Sequence, residues 1–143
     1  MKRSTFLLII TVVIGIAWQQ DSPLLSFSAH AQSSDELIQK AYQNHQSDVQ
    51  VKGKGTVIKI LSDDLKGSRH QRFILKLKSG QTLLVAHNID LAPRINGLAK
   101  NTTIEFYGEY EWNSKGGILH WTHRDPAGRH AHGWLKYNGK MYQ

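Results

Sequence analysis

The sequence of 143 residues contains no cysteine, so disulfide bridges cannot stabilise its fold. Stability must come from side-chain packing, helped by any ligand that binds only the folded state. The sequence also lacks an internal repeat, a low-complexity segment and an apolar run of the roughly 20 residues that a comfortable transmembrane helix needs. These absences exclude a disulfide scaffold and a repeat protein, and they favour one small domain.

The longest apolar run, FLLIITVVIGIAW at positions 6–18, lies in a segment typical of a signal peptide. Lys2 and Arg3 precede the run, and Ala29 and Ala31 form the small-x-small pattern of a signal-peptidase site. We therefore expect residues 1–31 to be a signal peptide and the protein to be exported, to the bacterial periplasm or out of the cell. The alternative is an uncleaved N-terminal membrane anchor, because the polar stretch before the cleavage site is long.

Acidic residues are few relative to basic ones, 11 against 18, which gives a net charge of +7 with histidine neutral. Without Lys2, Arg3 and Asp21, the chain from residue 32 keeps 16 basic and 10 acidic residues. This excess favours an anionic partner such as nucleic acid, a polyanionic glycan or a membrane surface. The alternative is a basic protein with no charged target.

The chain after the signal peptide predicts a mostly β fold with a short N-terminal helix. In the helical segment 32–48, positions 33–46 carry an apolar stripe, and Ser34 is the predicted N-cap. Alternating apolar residues and turn signals then predict five strands and a terminal hairpin: 49–60 with a bulge, a 71–88 hairpin around Ser79-Gly80, 102–112, 118–123, and a hairpin around Asn138-Gly139.

This order predicts a small five-stranded OB-like barrel over 49–143, closed by the C-terminal hairpin with Leu135 covering the core. Another small open β-barrel or β-roll is the alternative. Trp112 and Trp121 lie on apolar strand faces and are predicted to be in the core. Trp134 and Tyr137 follow a glycine in a polar tail and are better candidates for exposed stacking platforms.

Three segments resemble a family of small exported bacterial proteins catalogued as a domain of unknown function: RHQRFILKLKSGQTLLVAHNIDLAPRI, IEFYGEYEWNSKGGILHWTHRDPAGRH and GWLKYNGKMYQ. The resemblance, with its HNIDLAPRI, GEYEWN, HWTHxDP and GW motifs, covers roughly Val51 to the C-terminus. It implies a single exported domain and brings no reaction with it. The family's pattern has His-His-Asp-Pro where this chain has Arg124 as the second residue, which counts against a metal scheme that needs histidine at position 124.

The segment HWTHRDPAGRHAHGW at 120–134 holds four of the eight histidines and suggests a transition-metal site such as zinc. His130 and His132 are two residues apart, so in an extended segment they point the same way, and His123 is the third predicted ligand. The alternative places these histidines on a solvated loop.

The same segment could carry acid–base chemistry, with His123 or His130 as the base and Asp125 as the carboxylate that orients it. Such a site, with arginines as anion clamps, would suit a metal-assisted hydrolase or phosphodiesterase. The alternative for Asp125, which precedes a proline, is to begin a turn and accept hydrogen bonds from nearby backbone amides.

Three glutamates, Glu105, Glu109 and Glu111, share the outer face of one predicted strand. Carboxylates so arranged could bind a divalent cation. We instead favour solvent-facing side chains that pair with cross-strand lysines or arginines, such as Lys76 or Lys78.

The predicted ligand-binding surface combines a basic loop with the C-terminal segment: Lys66, Arg69, His70 and Arg72 in the loop, then Arg124, Arg129 and Trp134. In OB-folds such a loop and the neighbouring strands bind oligonucleotides or oligosaccharides. The favoured hypothesis is an exported binding module for an anionic polymer or glycan. The alternatives are the metal-assisted hydrolase and a structural protein without a small ligand.

Overall fold

The computed structural model describes residues 33–143, so the predicted signal peptide lies outside the described residues. Helix α1, Ser34–Gln43, begins with a capping box. The Ser33 hydroxyl accepts from the Glu36 amide at 3.3 Å, and the Glu36 carboxylate accepts from the Ser33 amide at 3.2 Å. The prediction of Ser34 as N-cap is therefore wrong by one residue, because Ser33 is the residue whose side chain reaches the third amide of the helix.

Seven strands follow: β1 Val49–Ile60, β2 His70–Lys76, β3 Thr82–Asn88, β4 Thr103–Glu111, β5 Ile118–His120, β6 Trp134–Tyr137 and β7 Lys140–Tyr142. The first five form a closed barrel in the order β1-β2-β3-β5-β4, with β4 pairing back onto β1. Only the β3–β5 pair is parallel among them. The predicted five-stranded barrel with one short helix is confirmed.

Strand β1 is long enough to pair with both of its barrel neighbours. Residues 49–56 pair with β4, and the strand passes to β2 with a bulge between Val57 and Lys59. A side chain would be crowded at two positions of this strand: a Cβ on Gly53 would lie 2.8 Å from the Phe106 ring, and one on Gly55 would lie 3.1 Å from the Leu75 Cβ. These glycines let large apolar side chains fill a strongly curved barrel.

The buried core is mostly apolar and includes Ile38 and Ala41 of α1, while Gln71 and His87 are buried polar residues on the inward faces of β2 and β3. The connector between β3 and β4 is tied to the barrel by the buried Gln71. Its side-chain amide donates to the Ile95 carbonyl at 2.9 Å and accepts from the Ile95 amide at 2.8 Å. None of the helices in the described residues is long and apolar enough to span a membrane.

The C-terminal hairpin closes the free edge of β4, as predicted. On this edge of β4, strand β5 pairs with residues 109–111 and β6 pairs with residues 105–107. Leu135 is fully buried, which confirms its predicted place over the core. Tyr137 is also buried, with its hydroxyl donating to the Gly97 carbonyl at 3.3 Å. The expectation that Tyr137 is an exposed stacking platform is wrong, because its position in β6 points inward.

Candidate functional site

The histidine-rich segment leaves the sheet immediately after β5. Trp121 has a left-handed backbone, with φ of 51°, and this ends the strand. Its indole is half-buried outside the apolar core and stacks on the His130 imidazole, with ring centroids 4.0 Å apart and planes 12° apart. The prediction of Trp121 as a core residue is wrong for this reason. The centre of the His123 ring lies 5.2 Å from the centre of the Trp121 ring.

Asp125 is buried and organises the turn that follows. Its carboxylate accepts from the amides of Ala127 at 2.9 Å, Arg129 at 2.7 Å and His130 at 2.9 Å. These backbone hydrogen bonds, that of Ala127 first, lower the pKa of Asp125 below its usual value. The turn alternative is therefore the one observed, since the carboxylate oxygens are already engaged.

Both ring nitrogens of His130 have a hydrogen-bond partner. Its Nε2 lies 2.6 Å from Glu109 Oε2 and its Nδ1 lies 2.9 Å from the Ala131 carbonyl. Because both partners are acceptors only, the imidazole fits this position as a cation. Burial opposes that charge, but the hydrogen bond to Glu109 and the one to Ala131 outweigh it, so the pKa of His130 is raised above its usual value.

Glu109 also faces His120 from the paired position across the sheet. The Nε2 atom of His120 lies 3.3 Å from Glu109 Oε1 and 3.3 Å from Glu111 Oε1. Glu105 instead pairs with Lys136 at 3.6 Å. A cross-strand lysine does pair with Glu105, but the named partners Lys76 and Lys78 are wrong, because β2 pairs with β1 and β3 and not with β4.

The side chains of Glu109, Glu111 and His120 are hereafter the Glu/His cluster. Within residues 33–143 this is the group of metal-ligating side chains whose ligand atoms all lie within 4.8 Å of one another. The predicted trio of His123, His130 and His132 does not form such a group there. His132 is exposed, and its Nδ1 accepts from the Asp125 amide at 3.2 Å.

A small pocket of about 220 Å³ adjoins the Glu/His cluster at His120. It brings together side chains that are far apart in the sequence: His70, Ala86, Asn88, Leu91, His120, Trp121 and His123. His123 is 5% exposed, and its Nδ1 lies 2.7 Å from the Arg124 carbonyl. Of the predicted site residues, His70 and His123 meet in this pocket.

Two arginines of the predicted basic loop form contacts within the protein. Arg69 forms an ion pair with Asp90, with Nε 2.6 Å from Oδ1, and Arg72 Nε donates to the Ser62 carbonyl at 3.0 Å. Lys66, Arg124 and Arg129 are exposed. None of these five cations lines the pocket at His120.

Residues 22–143 match the profile of a family described as "Protein of unknown function (DUF3465)". The chain belongs to this family. The resemblance seen in the sequence is thereby confirmed at the level of the DUF3465 family. No curated protein and no solved structure is detectably similar to the chain.

A second surface of this DUF3465 protein was missed by the sequence analysis. Lys52, Lys54, Lys78 and Trp134 line a cavity of about 440 Å³, together with Glu105 and with Asp35 at the start of α1. Lys54, Lys76 and Lys78 line an adjoining cavity of about 430 Å³. We name this surface, with its four lysines and Trp134, the lysine groove. Lysines two residues apart on two predicted strands were the available signal.

Proposed function

We propose that this DUF3465 protein is an exported single-domain binding module for an anionic polymer, which it holds in the lysine groove against Trp134. The observation that carries the proposal is the convergence of four exposed lysines and one aromatic ring on two adjoining cavities. The cavities share Lys54 and Lys78, so together they offer an elongated site.

The register of the sheet places a lysine beside two aromatic side chains here. Lys52 pairs with Tyr107 on β4, and Tyr107 pairs with Trp134 on β6. The Lys52 ammonium lies 5.7 Å from the centre of the Trp134 ring, and the Tyr107 and Trp134 rings are 6.3 Å apart. A cationic groove beside a partly exposed ring is the combination that binds a charged backbone and stacks on its planar groups.

The lysines of the groove are available for an external anion. Within the described residues, none of Lys52, Lys54, Lys76 and Lys78 forms an ion pair with a carboxylate. The arginine most central to the predicted basic loop, Arg69, does form one. Unpaired like charges repel one another in the free protein and gain most from a bound polyanion.

Among anionic polymers, we favour a single-stranded oligonucleotide, because each of its bases offers a flat face for Trp134 and each of its phosphates a charge for a lysine. An anionic glycan offers charge and less planar rings. Binding assays with oligo-dT and with heparin separate these two classes.

The test measures oligo-dT binding by fluorescence anisotropy at several salt concentrations. We expect the logarithm of the affinity to fall with the logarithm of salt with a slope near −2 to −3, at about 0.7 per phosphate contact for a single strand. Lys54→Gln should reduce the slope by about 0.7, and Trp134→Ala should weaken binding without changing the slope.

Lys59→Gln is the matched control, since Lys59 is an exposed lysine of the same strand that lies outside both cavities. Equal losses in Lys54→Gln and Lys59→Gln would show that binding follows net charge and not the groove. Stronger binding of heparin than of oligo-dT, with the same variant pattern, would assign the groove to glycans.

A further inference from the structure

We propose that the Glu/His cluster is a binding site for a divalent transition-metal cation, with Glu109, Glu111 and His120 as its protein ligands. The inference is independent of the lysine groove and concerns different residues from the predicted trio of His123, His130 and His132. It follows from the spacing of the ligand atoms, from the support of Glu109 and from the chemistry of the donor set.

His120 lies between two carboxylates, at distances that also suit three ligands of one central ion. Its Nε2 lies 3.3 Å from an oxygen of each glutamate. A charge-assisted N–H···O bond is shorter, at about 2.7–2.9 Å. Ligand atoms about 2.0–2.2 Å from a tetrahedral zinc ion are separated from each other by roughly 3.3–3.6 Å. Two of the three distances between ligand atoms, those from His120 Nε2 to Glu109 and to Glu111, therefore already have the length that such an ion requires.

The third distance, between the Glu109 and Glu111 oxygens, can shorten by a small movement of one side chain. The Glu109 and Glu111 oxygens lie within 4.8 Å of each other. Glu109 is held by the sheet and by His130, whereas the Glu111 side chain is 28% exposed and can rotate. The ligands stand on the paired strands β4 and β5, so the backbone beneath them is fixed.

His130 provides the outer hydrogen bond that metal-binding carboxylates usually have. It contacts Glu109 through Oε2 at 2.6 Å, which leaves Oε1, the oxygen nearest His120, for the cation. The indole of Trp121 stacks on the His130 ring and limits its movement. Such contacts orient a ligand and commonly change metal affinity 10–100-fold.

One imidazole and two carboxylates form a donor set that zinc accepts. Three protein ligands leave a fourth coordination position for water or for a ligand. His120 also lines the pocket of about 220 Å³, so a molecule bound there would lie next to the cation.

The test is a calorimetric titration of zinc chloride into the untagged, chelator-treated protein. We expect one zinc per chain with micromolar or tighter affinity. Glu111→Gln and His120→Ala should each weaken binding at least tenfold, and His130→Gln should weaken it about 10–100-fold through the loss of support for Glu109. A cobalt titration should give the intense visible absorption of a tetrahedral site in the wild type and not in Glu111→Gln.

Glu105→Gln is the matched control, because Glu105 lies on the same face of β4 and pairs with Lys136 outside the cluster. Its zinc affinity should equal that of the wild type, as should that of His132→Ala. Thermal melts of the metal-free proteins verify folding, and Glu111→Gln keeps the test decisive if His120→Ala unfolds. Millimolar zinc binding by the wild type, or unchanged affinity in Glu111→Gln, would overturn the proposal.

Discussion

His87 is a fully buried histidine whose two ring nitrogens have different partners. Its Nε2 lies 3.1 Å from the Pro93 carbonyl, so this nitrogen carries the proton. Its Nδ1 then accepts from the Thr122 hydroxyl at 2.8 Å. Burial is the main reason that the pKa of His87 is lowered from 6.5 to about 4, and the charge of His123 acts in the same direction. The neutral ring therefore belongs to the folded state.

The pKa of His87 predicts that acid destabilises the fold. The unfolded chain takes up the proton near pH 6.5, while the folded chain resists it until about pH 4, so stability falls as the pH decreases through this window. The expected loss at pH 5 is about 2 kcal/mol. In urea unfolding at pH 7.5 and pH 5, His87→Gln should be less stable at pH 7.5 but lose about 2 kcal/mol less on acidification. His132→Gln, at an exposed histidine, should keep the wild-type difference, and a wild-type difference in His87→Gln would contradict the assignment.

Single residues also show where sequence reasoning reaches its limit. The turn formed by Asp125 was foreseen as one of two roles, because an aspartate before a proline has local amides within reach. The contact between His130 and Glu109 was not foreseen, since the two residues are 21 positions apart and meet only through the pairing of β4 with its neighbours. Local chemistry is readable from the sequence, whereas ligand sets assembled across a sheet depend on register.

Gly133 connects the histidine segment to the C-terminal hairpin at a point where three backbone segments touch. Its amide donates to the His123 carbonyl at 2.9 Å. A Cβ at this position would lie 1.8 Å from the Trp121 carbonyl oxygen and 2.7 Å from that of Tyr107. Main-chain atoms cannot move aside as a flexible side chain can, so the close approach requires glycine.

We expect Gly133→Ala to separate β6 from β4 and to lower the free energy of unfolding by about 3 kcal/mol, the upper end for an overpacked site. Urea unfolding followed by tryptophan fluorescence measures this loss. Gly128→Ala is the control, because its Cβ would enter open space and only the left-handed backbone, with φ of 65°, opposes it, at roughly 1–2 kcal/mol. Equal losses in the two variants would show that the close approach at Gly133 costs no more than a left-handed alanine, and would contradict the prediction.

The strands were predictable to within a few residues because alternation and turn dipeptides define them locally. Asn138 and Gly139, for example, have φ of 48° and 78°, as the predicted hairpin turn requires. Strand β5 ended three residues earlier than predicted, since Trp121 takes a left-handed backbone that strand propensity does not anticipate. The lysine groove was missed because each pair of lysines resembles the solvent face of an ordinary strand until Thr56 is known to pair with Lys76.

The whole molecule carries its excess positive charge unevenly. Ion pairs neutralise Arg69 and Arg94, whereas the lysines of the groove have no ionic partner within the described residues. Repulsion among these lysines destabilises the free protein, and the same repulsion is relieved when a polyanion binds. Stability and binding are therefore expected to change in opposite directions when groove lysines are neutralised.

We predict that Lys76→Gln/Lys78→Gln melts at a higher temperature than the wild type in low salt without ligand, because these two lysines line one cavity with Lys54 and no carboxylate, and like charges at neighbouring positions cost roughly 0.2–1 kcal/mol. With oligo-dT at 100 times its dissociation constant, the wild type should gain about 2.7 kcal/mol, and the double variant should gain much less at the same concentration. Scanning calorimetry at low and high salt measures both effects, and high salt should remove both because it screens the charges. A double variant that is no more stable in the free state, yet gains as much from oligo-dT as the wild type, would place polyanion binding outside the groove.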